Sequence, residues 1–201
     1  MGAQYCSNPF LRNRQSAPFL LILTTMLPTV AIADVEEHLS YSYYELEVLP
    51  ELSLRQQLNA ASPIKVKGKT FHGYFKWNIE WTFKLKIDKR GVCRILNPST
   101  KLNAEIILPK IYGGNGPQIA VLDSYIAALR RHELKHYSTA LQATHAIDND
   151  LHSLQGMHNC ASLENYANKR ASYIEQQFKA KIQQYDCDTN HGMTEGVCLD
   201  D

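Results

Sequence analysis

Neither sign of charge dominates this chain: 21 lysines and arginines stand against 20 aspartates and glutamates in 201 residues. That balance removes the global electrostatic signature of a nucleic-acid or membrane-surface partner. Internal repeats and low-complexity tracts are also missing, so the chain is read as an ordinary globular domain. Its one glycine cluster, Gly113-Gly114-Asn115-Gly116, is followed by no lysine that could complete a phosphate cradle. The chain is long enough to bury a core of its own, as one domain.

The first 33 residues differ from the rest. Arg12 and Arg14 precede an apolar run, 17–33, that contains no charged side chain and closes on Ala31-Ile32-Ala33 before Asp34. This pattern predicts a secretory signal peptide over 1–33, with cleavage between Ala33 and Asp34 and a secreted or periplasmic destination. The competing reading is a retained anchor, because the run approaches the ~20 residues of a membrane span. Cleavage would also remove Cys6 and leave Cys93, Cys160, Cys187 and Cys198. An even set in an oxidising compartment implies two disulfides, in one of three connectivities.

The mature region, 34–201, divides by periodicity. Residues 41–48 read as a strand and 51–59 as a short helix. Over 71–87 apolar residues hold the odd positions and polar ones the even, the pattern of a strand with one face on a core and one in water. After the Asp88 to Gly91 turn, 92–108 returns as one or two strands, broken at Asn97-Pro98. The expectation is a small antiparallel sheet over 34–110. Ten basic residues over 65–101, against only Glu80 and Asp88, read as a solvated face that discourages edge pairing. The alternative is weak contact with anionic cell-envelope material. Residues 111–117 read as a loop. Two amphipathic helices over 118–185 then form an antiparallel hairpin, with Ser162 as the second helix's N-cap.

The chemistry sits on the first helix, in His132-Glu133-Leu134-Lys135-His136. Histidines four apart project one helical turn apart from one face, so both can ligate one Zn²⁺. Glu133 beside them can take a proton from water that the metal activates. A shuffled chain of this composition would contain the pattern about 1.5 times in a hundred. The bland reading is a pair of buried, hydrogen-bonded histidines. His145 faces the other side of the helix, and Gln142 stands where a metzincin would place its third histidine. His152 and His158 read as surface residues, and His38 and His72 have no evident partner.

A third ligand must come from elsewhere. Counting back along two straight helices from a turn near 156–161 brings Lys181 level with His136 and Tyr185 level with His132. The polar segment after that point, 186–201, therefore emerges beside the histidines. His191 is the expected ligand, with Asp186 and Asp188 as alternatives, while Glu175 stops about 9–15 Å short. Tyr185 is a candidate oxyanion donor. The same helix length separates Cys160 from Cys187 by well over 30 Å, which excludes that bridge.

Trp77-Asn78-Ile79-Glu80-Trp81, Gly91-Val92-Cys93, Leu108-Pro109, the His132 to His136 motif, Cys160 with Leu163, and Tyr185-Asp186 through Thr189 to His191-Gly192 together carry a resemblance. The chain resembles a bacterial family of predicted secreted zinc-dependent proteases, domain of unknown function 922. Lys135 departs from the glycine expected before the second histidine. The resemblance implies metallopeptidase activity on a peptide or protein substrate, and it supports His191 as ligand. With the short 187–198 loop, it also favours the pairings Cys93–Cys160 and Cys187–Cys198. Rival expectations are a non-catalytic, zinc-stabilised envelope-binding protein and a zinc hydrolase of non-peptide amides. The expected fold is α+β, a small sheet followed by a helical hairpin that carries the zinc site.

Overall fold

The computed structural model describes residues 35–199; the expected signal segment, with Cys6, lies outside them. In chain order the elements are β1 (Val35–Val48), α1 (Leu54–Ala61), a small hairpin of β2 (Lys65–Val66) and β3 (Lys69–Thr70), β4 (Tyr74–Ile87) and β5 (Cys93–Gly113). Two long helices follow, α2 (Gly116–Ser153) and α3 (Cys160–Asp188), then a 3-10 turn over Met193–Glu195. No helix among the described residues is long and apolar enough to cross a membrane. The α+β class is as the periodicity indicates.

The sheet is mixed rather than antiparallel, which corrects the sequence expectation. Its order is β1-β5-β4, with β4 antiparallel and β1 parallel to the central β5. Side-chain alternation has the same period in both pairings, so it cannot report direction. The 25-residue connection from β1 to β4, which includes α1 and the small hairpin, is long enough to cross over β5.

β5 is one strand through Asn97-Pro98, and it runs on to Gly113 where a loop was expected. The break appears as a bulge instead. Pairing passes from Thr82↔Ser99 to Lys84↔Leu96, and Asn97 takes a left-handed φ of 47°. Pro98 has no N–H to give to the ladder, so the extra residue falls there.

On β4, Phe75 and Ile79 are buried and the even positions are exposed, as the alternation requires. The buried face meets α2 through Leu102, Ile106 and Leu108 of β5 and Leu122, Leu129, Ile147 and Leu151 of the helix. Full burial of each such side chain stabilises by roughly 1.5–3 kcal/mol before entropy is charged. The outer face is polar and partly ion-paired: Lys76 lies 3.1 Å from Glu105 and Lys101 2.6 Å from Glu36. Two lysines of the basic stretch are thus matched across strands.

Caps fix the helix ends. Asn115 accepts from the Gln118 N–H while the Gln118 side chain accepts from the Asn115 N–H, a reciprocal capping box with Pro117 in the first turn. α3 begins earlier than expected, because Asn159, not Ser162, is its cap; the Asn159 side chain accepts from the Ser162 N–H at 3.0 Å. α3 also runs past Tyr185 through Asp186 to Asp188, where the loop over 186–201 was expected to have begun. Polar composition at a helix end does not stop a helix whose apolar stripe is already packed.

Cys93 and Cys160 form the expected disulfide, with Cα atoms 5.3 Å apart. It ties the turn of the helical hairpin to the start of β5. The expected Cys187–Cys198 bridge is not formed, for Cys198 carries a free, exposed thiol. Consecutive turns at Gly192 and Gly196 lead the chain back toward α1, where Arg55 donates to the Leu199 carbonyl, and so carry Cys198 away from the end of α3. Because the Cys93–Cys160 link spans 67 residues, replacing both cysteines by serine should lower stability by about 2–4 kcal/mol. Urea unfolding of the two forms measures this, and a loss below about 1 kcal/mol would show that the hairpin is held by packing alone.

Candidate metal centre

α2 turns His132, Glu133 and His136 inward, and all three side chains are buried. Lys135, by contrast, is exposed on the outer side. α3 returns antiparallel and brings Tyr185 and Asp186 level with them: the Tyr185 ring stacks on His132 with centroids 4.9 Å apart. Asp186 Oδ1 then lies 3.1 Å from His132 Nε2 and 3.0 Å from His136 Nε2, and the two Nε2 atoms are 3.2 Å apart. Phe75 of β4 stacks on His136 with ring centroids 6.2 Å apart.

Those three atoms form a nearly equilateral triangle of lone-pair donors. At such separations they repel unless a positive centre sits among them, whether a proton or a metal ion. A tetrahedral metal with bonds of 2.0–2.1 Å would hold its ligand atoms roughly 3.3 Å apart. Two imidazoles and a carboxylate also suit a borderline divalent ion such as zinc. Among the described residues, His132, His136 and Asp186 are the group placed to hold a metal ion.

His191, the ligand expected from the sequence, stands one contact further out. Its Nδ1 is 4.0 Å from Asp186 Oδ1, its side chain is 52% exposed, and its ring packs edge-on against Phe71. Asp188 is exposed and pairs with Gln184. Glu175 pairs with Lys179 on α3. His72, which had no evident partner, bonds to the Tyr125 hydroxyl at 2.7 Å and to Asn59 at 3.0 Å.

The chain reaches this arrangement through a strained turn. Asn190 and His191 both adopt left-handed backbone, φ 49° and 54°, and Gly192 follows at 82°. Each such non-glycine residue costs on the order of 1–2 kcal/mol. Thr189 holds the turn by donating to the Tyr185 carbonyl at 2.8 Å and accepting from the Gly192 N–H at 3.1 Å. Gly192 must be glycine for a second reason, since a Cβ there would lie 3.2 Å from the His132 ring and 2.7 Å from Val197.

Charge follows the geometry. Burial, the largest influence on His132, works against its protonated form, but hydrogen bonds to Asp186 and Glu195 outweigh it and raise its pKa. Asp186 is held well below the usual carboxylate range: burial opposes ionisation, and the two histidines overcome it. Burial pushes the Glu133 carboxyl up to about 7, against the pull of His136 and His132. A buried carboxyl poised there can exchange protons near neutral pH.

Two residues of the site escape sequence reasoning. Gly73 makes room for the carboxyl: a Cβ on it would sit 2.7 Å from Glu133 Oε1. Glu195 bonds both His132 Nδ1, at 2.9 Å, and the Tyr185 hydroxyl, at 2.6 Å. Neither lies in a recognisable spacing; only the paired glycines around Glu195 hint at a shaped turn. Tyr185, the expected oxyanion donor, has one hydroxyl proton, and it is directed at Glu195. His132, Glu133, His136 and Asp186 form part of the wall of a cleft of about 710 Å³, which Phe71, Phe75, Trp77 and Lys179 also line. That volume falls within the usual range for ligand sites.

Comparison with curated proteins gives no match, and comparison with solved structures gives none either. A family model described as a bacterial protein of unknown function (DUF922) matches residues 41–192. This span includes the His132 to His136 motif and Asp186 and ends at Gly192, so the chain belongs to the bacterial DUF922 family.

Proposed function

We propose that this protein is an exported zinc-dependent peptidase. The observation that carries the reading is the triangle of His132 Nε2, His136 Nε2 and Asp186 Oδ1, with edges of 3.0–3.2 Å, beside a buried glutamate in a cleft. Those three atoms would hold the ion, with His191 at the open rim. Bound zinc would supply Lewis-acid polarisation of water and of the scissile carbonyl.

The protein's own groups do the rest. Glu133 receives the proton as water adds to the carbonyl carbon, and returns it to the nitrogen as the C–N bond breaks. Burial keeps this carboxyl's affinity for a proton near neutrality, so it can act in both directions. Phe71, Phe75 and Trp77 give the cleft an apolar wall for substrate side chains.

The deciding experiment is metal analysis of the purified chain, followed by digestion of an unbiased peptide library. About one zinc per chain and cleavage that stops on chelation are expected. Zinc without cleavage of any peptide would favour the envelope-binding rival, and cleavage confined to non-peptide amides would favour the other hydrolase. Export follows from Ala31-Ile32-Ala33 closing an uncharged apolar run. N-terminal sequencing of the exported protein should begin at Asp34; a sequence beginning at Met1 would exclude cleavage.

A further inference from the structure

The structure assigns Glu195 as the positioning residue that keeps a proton on His132 Nδ1 and fixes the orientation of the ring, and the assignment rests for its metal consequence on the reading just proposed. Glu195 lies beyond the family match, in the turn between Gly192 and Gly196. Its Oε2 is 2.9 Å from His132 Nδ1. The Tyr185 hydroxyl donates to the same carboxylate, 2.7 Å from Oε1 and 2.6 Å from Oε2.

An ionised carboxylate only accepts hydrogen bonds. The proton in the contact must therefore lie on His132 Nδ1, and in the neutral ring Nε2 then carries the lone pair. Nε2 is the atom that faces Asp186 Oδ1 at 3.1 Å and His136 Nε2 at 3.2 Å. In the ion-free site both ring nitrogens thus face a carboxylate, and an ion at Nε2 would replace the contact to Asp186 while the Nδ1–H bond to Glu195 stays. Glu195 thus keeps its proton on Nδ1, so that Nε2 is the nitrogen an ion would take, which is the general logic of carboxylate–histidine pairs at metal sites.

The support is rigid. The Glu195 N–H donates to the Gly192 carbonyl at 2.9 Å, as does Val197 at 3.0 Å, and Gly192 itself packs on the His132 ring. The two histidines are not equivalent in this respect. His136 Nδ1 is buried with no hydrogen-bond partner, so only His132 has a carboxylate at its Nδ1. Tyr185 serves the same end by holding Glu195.

Two measurements on the purified chain test this, with Glu195→Ala and Glu195→Gln. Long-range proton–nitrogen NMR of the zinc-free protein reads the His132 tautomer directly. Zinc competition against a chelator reads affinity. The wild type is expected to carry a proton on Nδ1. Glu195→Ala should lose that preference and bind zinc about 10–100-fold more weakly, whereas Glu195→Gln, which keeps an acceptor oxygen, should retain the tautomer and lose less. An unchanged tautomer and unchanged affinity in Glu195→Ala would overturn the assignment. A wild type that binds no zinc would instead sink the metal reading, and the spectrum alone would then decide whether Glu195 sets the tautomer.

Discussion

Glu133→Gln is expected to reduce peptide hydrolysis by about 10³-fold or more while zinc stays bound. Glu133 is not in the donor triangle, so the substitution leaves all three ligand atoms in place. Glutamine is nearly isosteric and fits the space that Gly73 leaves, where a Cβ would meet Glu133 Oε1 at 2.7 Å. What it removes is the proton acceptor, and general-base contributions run from about 10² to 10⁴. A 10³-fold loss corresponds to roughly 4 kcal/mol of barrier. Stability should hold or rise slightly, because a buried carboxyl whose ionisation burial already opposes is being replaced by a neutral amide. Loss of zinc with activity would make Glu133 a ligand. Full activity would remove the mechanism.

Much of the frame that supports this site is legible in the sequence because it depends on period and reach. Alternation over 71–87 reports the buried face of β4, and helical spacing reports α2 and α3. A count of residues along the hairpin brings Tyr185 level with His132, where the structure also has its ring. What periodicity cannot carry is direction and turn geometry. β1 alternates as it would in an antiparallel pair, yet it lies parallel to β5. The residues after Tyr185 are polar enough to suggest a loop, but they complete α3 and so hold Asp186 on a rigid element. The left-handed turn at Asn190 and His191 decides where the tail goes, and with it where Glu195 and Cys198 fall. Only Gly192 signals that turn in advance. Gly73 is invisible for a different reason: its role is the absence of a side chain beside a residue 60 positions away.

Asp186→Ala should weaken zinc binding by at least about 100-fold, more than His191→Ala, which should cost less than about tenfold. The sequence alone favours His191; the proposed ligand set differs because of distance and support. Asp186 Oδ1 is 3.1 and 3.0 Å from the two Nε2 atoms, the spacing a tetrahedral ion imposes on its ligands. It projects from the last turn of a helix packed against α2, so little conformational freedom is lost on binding. His191 Nδ1 approaches only to 4.0 Å of Asp186 Oδ1, from an exposed, left-handed residue of the turn. Partners outside the ligand set typically contribute 10–100-fold, so a loss above that range marks a direct ligand. Chelator competition on the two variants measures both losses, with near-native circular dichroism as the control for folding. Should His191→Ala release the ion and Asp186→Ala retain it, the turn must close inward on metal binding. Asp186 would then be the carboxylate that orients the histidines, and the ligand set would be the three histidines that the motif and its resemblance imply.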